Sequence, residues 1–231
     1  MVNRDTSVRG VLLSLVFCVT GCINTPLPDY YMLTPEPSRQ GQFDAGQLDA
    51  ENINADNNVQ VNGISKLSDL AVGVGPITIP ETVNRPNIVT PRNANQLEVS
   101  EFHRWSEPLR ENISRVVITN LADRMGVSKL YAYPWLRAQI DNIARIDVLQ
   151  MNGEVGREVY LQVRWQILSG SKPHELLDTR ITEYRQAVSG GGYSSLVAAY
   201  SAAYASLSDD IAQALSEING ASDAVADANS G

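Results

Sequence analysis

The sequence predicts an α+β fold, with a single mixed or antiparallel sheet and two helices packed on one face. Three observations carry this expectation. Residues 136–168 hold two stretches of polar–apolar alternation with a turn signal, Asn152-Gly153, between them. Two apolar stripes at helical spacing run from Leu109 to Met125 and from Tyr200 to Ile218. The order is strands, helix, three antiparallel-looking strands, helix, and strands with one solvated face alternate in this way.

Taken in order, Tyr30-Tyr-Met-Leu33 reads as the first strand, stopped by Thr-Pro-Glu-Pro. Residues 38–66, rich in Gln, Asn, Asp and Gly with no sustained period, read as a flexible insertion. Leu67–Val74 alternates into Gly75-Pro76 and resumes at Ile77–Ile79, a strand with an irregularity. Asn87–Thr90 and Gln96–Ser100 suit a hairpin around residues 91–95. The first helix has Ser106 as a candidate cap, Pro108 in its first turn and Gly126 at its end, with Leu109, Ile113, Val116, Val117, Leu121 and Met125 as its stripe. A short strand, Leu130–Tyr133, ends at Pro134.

In the next strand Ala138, Ile140, Ala144, Ile146 and Val148 share a face. Its partner, 157–168, alternates Leu161, Val163, Trp165 and Ile167 with polar residues, and 176–188 is a more polar strand. Gly190-Gly-Gly192 breaks the chain, Ser194 or Ser195 is placed to cap the last helix, and residues 220–231 read as a disordered tail.

The amino terminus is a different kind of segment. Arg4 and Arg9 precede Val11–Val19, a run in which only Ser14 is polar, which has the length of a signal-peptide core. A spanning helix needs about 20 apolar residues, so this run is too short to be one. Val19-Thr20-Gly21-Cys22 resembles the bacterial lipobox, in which small residues admit the backbone to a peptidase cleft and the cysteine thiol takes a diacylglycerol. This makes 1–21 a signal peptide, Cys22 a lipid (palmitate-bearing) anchor, 22–28 a proline-containing tether and 29–219 the folded domain. Ile23 after the cysteine, where an Asp would retain the protein at the inner membrane, points to the outer membrane.

Composition narrows the chemistry. The chain has 231 residues, 43% hydrophobic and 19% charged, with a net charge of −8 and no basic block; nucleic acid is therefore not an expected partner. Both cysteines lie in the first 22 residues and there are only two histidines, so neither a metal centre nor any other cofactor is expected. His103 lacks the partners of a catalytic histidine, and Gly190–Ser195 lacks the lysine of a phosphate loop, which leaves it as a hinge or cap. No catalytic set emerges. What stands out is Ile79–Arg92 with His103–Leu109. In it Arg85-Pro86 offers a planar five-donor fork on a fixed bend, open to a structural or an interface role. Trp105 suits either a hydrophobic staple or an interface anchor.

Those residues also carry a likeness. "DYYMLTP", the Arg-Pro-x-Ile-Val block within "VNRPNIVTPRN", the later "RWSEPL" and "YPW" resemble the ABC-type transport auxiliary lipoprotein family, over about residues 29–217 without the insertion. The resemblance implies a non-enzymatic outer-membrane lipoprotein facing the periplasm. Such a protein works with an ABC system whose mammalian-cell-entry-type protein forms a periplasmic conduit for lipid. It further implies that Arg85, Pro86, Arg92, Arg104 and Trp105 occupy the family's characteristic block; Pro91 is an insertion relative to the expected Thr-Arg pair. A symmetric conduit would suit a homo-oligomeric partner. Two other functions fit the same reading of the residues: an outer-membrane activator of a cell-wall synthase, and a periplasmic hydrolase dependent on His103 or Ser195.

Overall fold

A computed structural model of the chain describes residues 26–37, 69–135, 138–171 and 173–228, the side chains of 221–228 excepted. The signal segment, Cys22 and the 38–66 insertion lie outside the described residues. Among the described residues eight strands and two helices follow in the order β1 (Asp29–Tyr31), β2 (Val72–Thr78), β3 (Asn87–Asn93), β4 (Gln96–Trp105), α1 (Leu109–Met125), β5 (Leu130–Ala132), β6 (Asn142–Gly153), β7 (Glu158–Ser169), β8 (Leu176–Ala187) and α2 (Tyr193–Ala228).

The fold is α+β with two helices, but the strands form two sheets rather than one. The larger has the order β5-β2-β6-β7-β8 and the smaller β1-β4-β3. β2 runs parallel to both β5 and β6, while β6, β7 and β8 form an antiparallel meander. The second sheet arises because β4 extends through Trp105, and its last three residues pair in parallel with β1. Alternation identifies strands but not which edges meet, and this pairing joins segments more than 70 residues apart.

Leu161, Val163, Trp165 and Ile167 are fully buried, as their alternation requires, and they face α2, where Leu196, Tyr204, Leu207 and Ile211 are also fully buried. α1 packs on β2, β5 and α2, and the apolar residues of both sheets join a single core. Val72, Val74 and Ile77 belong to it, although the β2–β6 register slips between Val74 and Ile77. At that slip Gly75 has φ +119°, a conformation that disfavours any side chain, and an added Cβ would come within 2.8 Å of Tyr133.

Four local expectations change. Ser106 does not cap α1: its backbone N–H donates to Tyr31 O (2.8 Å), Pro108 stands at the cap, and only Gly126, at φ 64°, closes the helix as expected. The β3–β4 turn shrinks to Ala94-Asn95, and Pro91 lies within β3, an edge strand where its missing N–H costs no ladder bond. The β6–β7 turn falls at 154–157, fastened by Glu154 N–H to Glu158 O (2.9 Å) and an Arg157–Glu154 ion pair (2.8 Å). α2 begins at Tyr193, ahead of both candidate serine caps, and continues past Gly220 to Ala228 through an alanine-rich sequence that favours helix.

The segment after β1 threads between the helices. Asn112 of α1 accepts from Leu33 N–H (2.7 Å) and donates to Leu33 O (3.3 Å), and Ser201 of α2 accepts from Thr34 N–H (3.1 Å). Asn120 accepts from Glu36 N–H (3.0 Å), and Arg124, ion-paired with Asp209, donates to Glu36 O (3.2 Å). Leu33 itself is fully buried. A stretch with no strand partner among the described residues is thus supplied with side-chain hydrogen bonds, which its buried start at Leu33 in particular demands.

Candidate functional site

The site is built on the loop between β2 and β3. Val83 is buried and anchors it; Val83 N–H and Asn84 N–H both donate to Pro80 O, at 3.0 and 3.1 Å. Arg85 N–H then donates to Val83 O (2.9 Å), a three-residue turn about Asn84. Pro86 O accepts from Trp105 N–H (2.7 Å), which ties the loop to the end of β4. Arg85 is therefore held by backbone bonds on both sides. Its exposed guanidinium makes no hydrogen bond or ion pair among the described residues.

Asn84, Arg85 and Pro86 form one wall of a cleft of about 350 Å³, and Trp105, Glu107 and Leu109 lie across from them. Trp105 is only 6% exposed, so it packs in the core and also lines the cleft; the two roles the sequence left open coincide. The cleft also receives the start of α1, where Pro108 makes no side-chain cap bond. Glu107 is held by Arg115 (2.6 Å), so the cleft's single carboxylate is committed elsewhere and Arg85 is its free charge.

Arg85, Pro86 and Trp105 are thus brought together, while the other two residues of the block are not. Arg92 is exposed near the tip of the β3–β4 hairpin. Arg104 alternates with Trp105 on β4 and lies opposite Tyr30 of β1; its Nε is buried with no hydrogen-bond partner among the described residues. Asn84 and Leu109 fall within the two stretches that stood out from the sequence, but neither was read there as a site residue.

His103 is half-buried. Its ring stacks on Tyr193 (centroids 3.9 Å apart), and its Nδ1 lies 2.9 Å from the Tyr31 hydroxyl and 3.7 Å from Asp29. Burial, with Asp29 and Tyr193 nearby, raises the Tyr31 pKa above its ordinary value. This cluster ties β1 and β4 to the start of α2. A second, larger cleft of about 440 Å³ lies between α1 and β2/β5, lined among others by Pro76, Arg110, Ile118 and Tyr133. Among the described residues no group of His, Cys, Asp and Glu could hold a metal ion, and no helix is long and apolar enough to cross a membrane.

Fold and cleft together define a small two-sheet α+β domain that displays a fixed arginine beside a buried tryptophan. The chain belongs to the family of the ABC-type transport auxiliary lipoprotein component, whose model matches residues 53–212. The fold recurs in a crystal structure of an uncharacterized protein, at a TM-score of 0.58 and 14% identity, covering 82% of this chain and 99% of that one. It recurs also in a Xanthomonas campestris protein of the family DUF330, at a TM-score of 0.56 and 12% identity, covering 85% of this chain and 98% of that one. At such identities the likeness concerns the fold alone. No curated protein matches the chain.

Proposed function

We propose that this auxiliary lipoprotein is anchored in the outer membrane by an acylated Cys22, faces the periplasm, and docks the mammalian-cell-entry-type conduit protein of an ABC lipid-transport system without catalysing a reaction. Residues 1–21 are removed as a signal peptide, 22–28 serve as the tether, and 29–219 form the docking domain. The carrying observation is Arg85, held by backbone bonds and left unpaired among the described residues at the rim of a cleft lined by Trp105. A guanidinium so placed suits a backbone carbonyl or carboxylate of a partner chain, and a tryptophan beside it is the usual companion of an interface arginine. Pro86 shapes the bend; Arg92, near the hairpin tip, and Arg104, on the other face of β4 from Trp105, do not line this cleft.

The docking unit is a homo-oligomer in this reading, because a symmetric conduit presents equivalent surfaces. β8, a 12-residue strand at the sheet edge with Leu176 and Ile181 exposed, offers an unpaired edge for contact between copies. Crosslinking mass spectrometry on intact cells tests the docking: crosslinks from the Asn84–Leu109 region to the conduit protein are expected. Crosslinks to a cell-wall synthase in their place would refute it. For the anchor, Cys22→Ala should leave an unprocessed precursor without palmitate; normal palmitate labelling of that variant would refute it.

A further inference from the structure

The two faces of the β1–β4 pair differ sharply. Tyr31, Leu33 and Trp105 turn to the interior, whereas Tyr30, Met32 and Phe102 are 62%, 46% and 39% exposed. Tyr30 lies opposite Arg104 in the parallel register, Phe102 stands two residues before Arg104, and Met32 follows Tyr30 by two, so alternation puts all four on one face. Leu27, 87% exposed, leads into this face from the tether. Isolated surface apolar residues need no explanation, but three on one face where the folded domain begins, with Leu27 just ahead of them in the chain, do.

We infer that this face, Leu27, Tyr30, Met32 and Phe102 around Arg104, is a contact surface for a phospholipid bilayer. The inference rests on Cys22 being acylated. Asp29 is seven residues on from Cys22, a distance of at most roughly 25 Å fully extended, so an acylated Cys22 keeps this face close to the lipid headgroups. Such a tether gives a high effective concentration, and modest apolar contact is then enough to hold the face down. Tyrosine and phenylalanine belong at a headgroup–acyl boundary. Arg104 has no carboxylate partner among the described residues and can meet lipid phosphate from their midst. The contact turns a loose anchor into an oriented one, because it fixes which way the cleft on the other side of β4 points.

The mature chain carries no cysteine besides Cys22, so single labelling sites are easily made. Met32→Cys, Phe102→Cys and Gln213→Cys, each carrying a nitroxide, would be compared in the acylated full chain in vesicles of phosphatidylethanolamine and phosphatidylglycerol. Gln213 is exposed on α2, well along the helix from its start at Tyr193, and serves as the control. The ratio of oxygen to nickel-chelate collisions should be at least about fivefold higher at Met32 and Phe102 than at Gln213. Water-exposed labels at both sites on a chain whose intact mass shows acylated Cys22 would overturn the contact surface and leave the anchor standing. Equal immersion of all three labels would also overturn it, as non-specific adsorption. An unmodified Cys22 by mass would overturn the anchor itself.

Discussion

Thr34–Glu36, which follows β1, and Asn84–Pro86, which precedes β3, are both short, proline-containing and irregular, and both meet an end or flank of α1. They are held in opposite ways. The first is fixed by side chains of the two helices acting on its backbone, through Asn120 and Ser201, next to Asn112 on Leu33. The second is fixed by its own backbone bonds to Pro80, Val83 and Trp105, which leave the Arg85 side chain unengaged. A segment docked on two helices without a strand partner draws on their polar side chains, and one that displays a side chain is better pinned by main-chain bonds alone.

The largest expected effect is at Trp105, which pairs with Tyr31 of β1 and donates through its backbone N–H to Pro86 O of the second segment. Trp105→Ala should destabilise by about 3–5 kcal/mol, because a nearly buried indole leaves a cavity in the core. At roughly 2–4 °C per kcal/mol for a chain of this size, differential scanning calorimetry would register it easily. A small change would mean that Trp105 serves the cleft and not the core, and would break the contrast. Next comes Asn112→Ala, which strips both hydrogen bonds from buried Leu33. It should cost about 2–3 kcal/mol by urea unfolding, since the backbone groups are left unpaired.

Alkali probes α2, which helps hold the first segment through Ser201, together with β8 beside it. Burial raises Tyr200 and Tyr204, and burial with the hydrogen bond to Asp210 raises Tyr184, all well above the ordinary tyrosine value of 10.0. Because these folded-state values exceed the unfolded one, their contribution to stability is intact below pH 10 and is lost as pH climbs toward the folded values. Each tyrosine contributes up to about 1.4 kcal/mol per pH unit to that loss. Tyrosinate absorbance at 295 nm should therefore rise together with loss of far-ultraviolet circular dichroism. Ionisation that precedes unfolding would contradict the burial.

Much of this was legible from residue pattern, and the omissions have physical causes. The stripes of α1 and α2 and the alternation of β7 determined what each element buries, so their elements and faces agree with expectation. The second sheet was not legible, because the β1–β4 pairing depends on three residues whose partners lie far along the chain. The helix-threaded segment left a readable trace: Asn112, Asn120 and Arg124 stand at intervals of four or eight on the otherwise apolar stripe of α1. Polar residues at core positions imply a buried acceptor or donor nearby. For the cleft, the residue types were legible in the Arg85–Leu109 region, but its shape was not. It depends on Pro86 meeting the end of β4, which alternation through Ser100 did not reveal.

Arg85→Glu gives the smallest expected change in stability and the sharpest test of the contrast. Its side chain touches no partner among the described residues, and surface substitutions of this kind stay within about 0.5 kcal/mol. The backbone bonds that pin the loop do not involve the side chain, so the reversed charge should sit in the same place. Thermal melting should then be unchanged while capture of the conduit protein falls at least tenfold, since a reversed charge repels whatever carbonyl or carboxylate the guanidinium meets. A marked drop in melting temperature would mean that Arg85 has a structural partner and belongs with Asn112, not against it. Unchanged melting with unchanged capture would leave the loop rigid but move the docking surface elsewhere on the domain.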